Sequence, residues 1–570
     1  MNFIKEYQNA IKYCEQWLDF VPETRIVKDQ SSPRYGQMVD FKMLATLIEV
    51  STVNLGISVY YCKDSKYYKS KKILDCIEST SYAGIDKLND DGTYDMPETN
   101  FRTGDQFGLS HVAEALRVMN MYVSDDPDER RAHNAVCRFC EKLALGCLNS
   151  GFHTPNHRWV ESAGLLQAAF ALEQAGFSTY VGMMRQKAAR YIAEGIDCDE
   201  EGEWSERSAG MYNAHCDRYV LSMYRMTGNE EFYDAVYRNL MLMRYYIGND
   251  FAMFTQNSRR TDKGEVGSRP MFFKATTYYA SVYEIDYVVA AYLRKDALLA
   301  SVADEIIDHA NCNLPLSPFL LYPDMKDWEF EKVDEPIPHK YEKYQPKSHI
   351  VRKRNDSAIY SFLARNPSFL QIEAPGIHLQ ARMCSSFFAV AQFIPKTMEK
   401  TERGYKLSMT AHGEYKLPLD NPDGITTKDY WSIDFSARRA IQQIDLDMSV
   451  EAVFTDDGVD LYFSAQGYPN VPTKIEFFVN PGLHCEIGDT VLITTAGANV
   501  FARSGAARFE SNAGYVMTVD GLFCKHLYAE GMRGSLDPIS DAFVLYATEY
   551  SPIERKISIK FNRADGARIF

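Results

Sequence analysis

Apolar residues recur at helical spacing through the first half of the chain and at alternating spacing through much of the second. Up to about residue 310, helix-like runs follow one another: MVDFKMLATLIEVSTVNLGISVYY, VAEALRVMNMYV, VCRFCEKLALGCL, GLLQAAFALEQAG, MRQKAARYIAEGI, YVLSMYRMTG and FYDAVYRNLMLMRYYI. Gly176, Gly195 and Gly228 fall where such helices would end. Successive helix pairs with little strand signal predict a bundle or helical toroid over residues 1–310. Their connections carry the polar signatures, in DDGTYDMPETNFRTGDQFG, GFHTPNHRW, DEEGEWSERSAGMYNAH and TQNSRRTDKGEVGSRP.

From about residue 357 the pattern becomes β-like: SAIYSFLA, SFLQIEA, SFFAVAQFI, YKLSMTAHG, MSVEAVFTDDGVDLYFSAQG, KIEFFV, DTVLITT, GYVMTVDG and FVLYATEYS. Asp456 to Gly458 reads as a tight hairpin. The expectation over 357–570 is antiparallel sheets stacked as a sandwich. Between the halves, residues 311–356 are rich in Pro and charge, with Lys340, Lys343, Lys347, Arg352, Lys353 and Arg354 making them locally basic. This stretch is expected to be a linker. The fold class is thus α+β with several domains, helical first and β second.

At 570 residues the chain exceeds one ordinary core. Apolar residues at 46% and charged ones at 24% describe a globular protein. The net charge of −15 argues against nucleic acid as partner but leaves room for an anionic polysaccharide bound in a locally basic cleft. The first twenty residues carry charge where a secretory signal would be apolar, and no stretch reaches the roughly 18 apolar residues of a membrane span. With 12 scattered Cys, a cytoplasmic location is the expectation. Cys137 and Cys140 form a CxxC without a second pair to complete a zinc site.

Two polar clusters stand out. The first holds His153, Asn156, His157 and Glu161. On one continuous helix, His153, His157 and Glu161 would share a face with metal-ligand spacing, but Pro155 interrupts such a helix. Asn156 would either cap the following helix or, with His157, hydrogen-bond a substrate carboxylate. The second cluster holds Glu203, Glu206, Arg207, Tyr212, His215 and Arg218, with Tyr212 and His215 on one face of a helix start. Two further loops offer Asn100, Arg102, Asp105 and Gln106, and Gln256, Asn257, Arg259, Arg260 and Lys263. Arginines there would bind carboxylate or sulfate bidentately.

The chemistry that would use this set is β-elimination at a uronic acid. Hydrogen bonds to the uronate carboxylate let charge spread onto it as the C5 proton leaves, and Tyr or His moves protons at C5 and at the departing oxygen. In these motifs the chain resembles the heparinase II/III-like polysaccharide lyases, which include alginate lyases and broad-specificity glycosaminoglycan lyases. Asn156–His157 in TPNHRW and Tyr212 in GMYNAH match that family in kind, order and approximate spacing. The resemblance implies an incomplete (α/α) toroid followed by antiparallel β-sheets, and a uronate-containing glycan as substrate. It implies Asn156 and His157 on the uronate carboxylate and Tyr212 as base and acid. It also implies a further His from the sheet half, for which His412 is the first choice over His378. Substrate contacts would come from His153, Arg102, Gln106, Glu206, Arg207, His215, Asn257, Arg259, Arg260 and His378. Some relatives hold a divalent metal, but no ligand set for one is assignable here, and no other cofactor is implied. The alternatives are a hydrolase of unsaturated uronides using carboxylates such as Asp105 and Glu206, and a non-catalytic binder of anionic glycans.

Overall fold

A computed structural model describes residues 3–24, 46–96, 101–263, 265–266, 269–270, 277–310, 314–420 and 429–563. The chain divides into two compact units. One comprises residues 1–262 and 278–337, the other 263–277 and 338–570.

The first unit is helical. Its described helices are α1 (Phe3–Thr24), α2 (Leu47–Tyr61), α3 (Lys71–Asp86), α4 (Gln106–Tyr122), α5 (Pro127–Leu148), α6 (Pro155–Gln174), α7 (Val181–Ile192), α8 (Tyr212–Thr227), α9 (Glu230–Met243), α10 (Glu284–Arg294), α11 (Ala297–Ala310) and the short α12 (Ser317–Leu321). Alternate helices pack side by side. The series α1, α2, α4, α6, α8 and α10 forms an inner layer, and each inner helix from α2 onward is backed by the one that follows it. This is the (α/α) toroid arrangement. Composition explains which helix goes where. Inner α6 is enclosed on most sides, and its wall is largely small: Ala163, Gly164, Ala168, Ala169 and Ala171 are all buried. Outer α7 buries only the stripe Val181, Met184 and Ala188, at the spacing of one helix face.

Helix ends follow the punctuation. Asp126 caps α5 by accepting from the amides of Asp128 and Glu129, and Pro127 opens the helix. Gly228 closes α8 in the left-handed region, and Gly176 and Gly195 stand at positive φ just past α6 and α7.

The second unit is a β-sandwich. A nine-stranded and an eight-stranded sheet face each other across one core, which takes Tyr360, Phe362 and Phe477 from one side and Leu446, Leu461 and Phe463 from the other. Neighbouring strands are antiparallel except Asn499–Phe501, which runs parallel to Phe543–Tyr550. Strand Ala440–Phe454 pairs with Gly458–Gln466 through the Asp456–Gly458 turn, as expected.

Two expectations fail here. The stretch 311–356 is not a linker where it is described. Residues 314–337 belong to the helical unit, and Tyr341–Gln345 and Ile350–Arg354 are paired strands of the eight-stranded sheet. Its basic residues misled because they are satisfied within the sheet unit: Arg352 is buried and donates to Ser361 Oγ at 2.6 Å, and Lys340 pairs with Asp356. Second, SFFAVAQFI is a turn segment, not a strand. Its Phe387, Ala391 and Phe393 join the core, so an apolar run was present without the ladder.

Gly146 of α5 lies against backbone: a Cβ there would sit 2.1 Å from the Gly92 carbonyl oxygen. Gly146→Ala should therefore cost about 1–3 kcal/mol. Gly182→Ala, where a Cβ meets nothing within 4 Å, should instead stabilise by up to about 1 kcal/mol. Thermal melts of the two variants would check this contrast.

Candidate active site

Three inner helices begin close together in space. Phe107, in the first turn of α4, is the hub. Its ring meets His157 of α6 at 5.3 Å, His215 of α8 at 5.5 Å and Tyr219 of α8 at 6.0 Å. Tyr212 opens α8, and its ring lies 6.2 Å from that of His215. The expected Asn156–His157 and Tyr212–His215 pairs are therefore brought together, at the amino ends of α6 and α8.

The loop before α8 is fixed by Asp262, which accepts from Ser208 Oγ and from the Gly210 amide, each at 2.9 Å. Gly210 has no room for a side chain, since a Cβ would stand within 3 Å of Tyr278, Asp262 and Thr255. Arg207, on the same loop, adopts a left-handed backbone at φ 52°, which an arginine rarely accepts without tertiary support.

A buried polar chain runs through the site. Glu206 accepts from Asn156 Nδ2 at 2.7 Å with one oxygen and from Arg260 Nη1 at 2.6 Å with the other. The Arg260 guanidinium in turn lies over the Tyr212 ring, 4.6 Å from its centroid. Burial pushes the Glu206 carboxyl above the usual range, opposed by Asn156 and then Arg260. Among the described residues, the Tyr212 hydroxyl has no protein hydrogen-bond partner, although the Tyr212 amide is held by Ser208 Oγ.

Both histidines are neutral at ordinary pH. Burial first, then His153 and Arg260, lowers the His157 pKa to about 4. Burial, then Arg218 and His157, lowers that of His215 to about 3. His215 Nδ1 is buried without a partner.

A second network stands beside this one. Glu203 is buried, accepting from Tyr246 OH at 2.8 Å and Asn257 Nδ2 at 3.2 Å. Burial lifts its pKa to about 7, against the hydrogen bond from Tyr246 and the charge of Arg207. Arg207 and Asn257 thus serve Glu203, and Arg259 Nη1 donates to the Ser205 carbonyl at 3.1 Å.

Several expectations change. Asn156 is not the helix cap; Thr154 holds that position. Its Nδ2 donates to Thr154 and Glu206, so it positions the Glu206–Arg260 pair instead of presenting a free donor to a carboxylate. The His153–His157–Glu161 face does not form, because α6 starts at Pro155. His153 is exposed beside His157, while Glu161 is buried against Lys187 at 2.6 Å and accepts from Gln106. Gln106 is therefore committed to Glu161 and to the Gly151 carbonyl. Arg102 is exposed and paired with Asp95. Asp105 caps α4 and accepts from Thr46, which leaves it no open carboxylate. Asn100 lies outside the described residues. His412 and His378 belong to the sheet unit, where both are exposed; His412 bonds Asp445 at 2.6 Å and His378 stands opposite Glu373. The cluster described above is built wholly from the helical unit. No group of three or more His, Cys, Asp or Glu side chains placed to hold a metal occurs among the described residues. Cys137 and Cys140 are free and buried in α5.

Three contributors were not singled out from sequence. Phe107 carries no chemical signal beyond following Gln106 at a helix start. The Arg260 stack on Tyr212 joins residues 48 positions apart. His111 is one turn beyond Phe107 and was hidden by the apolar pattern of α4.

Both histidine pKa values are lower in the folded chain than the ordinary value near 6.5, so the unfolded chain binds more protons between about 4 and 6.5. These rings therefore contribute stability above pH 6.5 that is lost as pH falls towards 4. His157→Gln should lower the melting temperature less at pH 5 than at pH 7, relative to the parent at each pH. Melting curves across that range would check it.

No family model matches the chain, and no curated protein matches it. Solved structures do. Heparinase III superimposes with a TM-score of 0.51 at 9% identity, over 91% of this chain and 77% of that one. A mutant of the heparan sulfate lyase HepC from Pedobacter heparinus gives 0.49 at 9% identity, over 91% and 76%. The Streptomyces coelicolor A3 chondroitin AC lyase, solved with chondroitin sulphate, gives 0.47 at 9% identity, over 98% and 77%. The chain is thus structurally similar to heparinase III: a helical toroid followed by antiparallel β-sheets.

Proposed function

We propose that the protein is a polysaccharide lyase that cleaves uronate-containing glycans by β-elimination. The observation that carries this is the stack of Arg260 on Tyr212, at one end of the Asn156–Glu206–Arg260 chain and beside two neutral histidines. The fold shared with heparinase III is consistent with it. Heparinase III, by its name, acts on a heparin-type glycan, and glycosaminoglycans are the first substrates to try.

In this proposal the uronate carboxylate lies between His157 and Arg260. A neutral imidazole donates one hydrogen bond, and the guanidinium supplies charge as the enolate develops. Asn156 and Glu206 hold Arg260 in place. Tyr212, as phenolate, takes the C5 proton; the C4–O bond breaks, the C4–C5 double bond forms, and the proton passes to the departing glycosidic oxygen. Arg260 packs on the face of the Tyr212 ring as a cation–π contact. His215, neutral and next to Tyr212, is the second proton carrier in this scheme. A part for His412 or His378 remains a proposal that their own replacement would test.

The test is ultraviolet absorbance during incubation with hyaluronan, chondroitin sulfates, heparan sulfate and alginate. Elimination creates a double bond conjugated to the carboxylate, so the signal rises. Tyr212→Phe should lower the rate by about a hundredfold or more. Arg260→Ala should lower it by a similar factor, while Arg102→Ala leaves it unchanged. A flat signal while reducing ends appear would replace elimination by hydrolysis.

A further inference from the structure

Below the Phe107 layer, a cavity of about 430 Å³ lies along the axis of the helical unit. Every inner helix contributes to its wall, and α12 adds Ser317 and Pro318. Tyr219 links the cavity to the candidate site: it lines the cavity and stacks on His215 at 6.4 Å. Its volume is at the small end of the roughly 300–1,000 Å³ typical of ligand pockets and is too small for a long polymer.

Two charged or titratable groups in its wall keep polar atoms open to the cavity. Arg218 is held by Asp286, with Nε to Oδ1 at 3.3 Å and Nη2 to Oδ2 at 3.1 Å, and Nη2 also reaches the Val282 carbonyl. Its Nη1 has no protein partner among the described residues, and 35% of the side chain is exposed. Asp286 is 2% exposed, so the guanidinium is anchored from behind with one face open. His111 is exposed on the same wall, and its ring likewise has no protein partner among the described residues. Although the ring faces the cavity, the surrounding protein desolvates it and lowers its pKa, against Glu114 and together with Arg218; in its neutral form it offers one donor and one acceptor. Helix α1 supplies the rings of Tyr13 and Trp17. A fixed guanidinium, a neutral imidazole and aromatic faces are the groups that recognise a hydroxylated ring bearing a carboxylate.

We propose that this axial cavity receives the terminal sugar unit of the glycan, with Arg218 and His111 as its polar contacts, so that chains are cut near an end and not at random. The identity of that unit as a uronate-type sugar rests on the lyase proposal above; the cavity's capacity for one sugar acid does not.

Calorimetric titration with D-glucuronic acid reads the cavity without requiring catalysis. The parent and Tyr212→Phe should both bind it. His111→Ala should weaken binding about tenfold, and Ser51→Tyr, which fills the cavity from α2, should abolish it. No binding to the parent, or binding untouched by Ser51→Tyr, would overturn the proposal whether or not the protein proves to be a lyase. If it is one, hyaluronan digestion should release small products from the first minutes while viscosity falls slowly, and His111→Ala should raise KM more than it lowers kcat. Early products of all sizes with a rapid loss of viscosity would also overturn it.

Discussion

One carboxylate organises the candidate site. Glu206 is buried, and burial alone would favour its neutral form. Two donors from different segments oppose that cost: Asn156 from the first turn of α6 and Arg260 from the loop after α9. In meeting them, Glu206 fixes the guanidinium over Tyr212 at the start of α8. Three pieces of chain distant in sequence are thereby held in one register. Losing either donor would leave a buried acceptor unsatisfied, which is why the arrangement is more than the sum of its pairs.

The surroundings make that charge pair effective. Phe107 closes the space between His157 and His215 with an apolar ring. The same exclusion of water that keeps the two imidazoles neutral strengthens the interaction of Arg260 with any negative charge nearby. Glu203 and Asp262 carry no part in the proposed chemistry. They hold the loops: Glu203 through Tyr246 and Asn257, Asp262 through Ser208 and Gly210. Rigid inner helices with polar loop ends place a reactive set precisely without distorting the helices themselves.

Much of this was legible in the sequence because it is local. Helical spacing marked α2 and α4 to α9, glycines such as Gly228 marked helix ends, and alternation marked about half of the strands. The Asn156–His157 and Tyr212–His215 motifs sit where a helix start brings side chains together, so proximity in sequence served as proximity in space. What failed was non-local. Arg352 looked like linker charge because its partner Ser361 comes from the neighbouring strand, which spacing does not reveal. Asn156 looked like a free carboxylate donor because the Glu206 that occupies it lies 50 residues on. Glu161 and Gln106 appeared as site residues, yet they face Lys187 and each other. His111 was passed over because a lone histidine in an apolar helix carries no pattern of its own.

The claim that stands or falls first is the type of bond cleavage. Mass spectrometry of the products from a defined hyaluronan oligosaccharide separates the two outcomes. Elimination leaves the fragment from the reducing-end side, whose new terminal uronate is unsaturated, lighter by one water than its hydrolytic counterpart, with no oxygen taken from labelled solvent at the broken bond. That result is the one predicted. A fragment of full hydrolytic mass carrying solvent oxygen would contradict the account and leave the Tyr212–Arg260 stack without its proposed role.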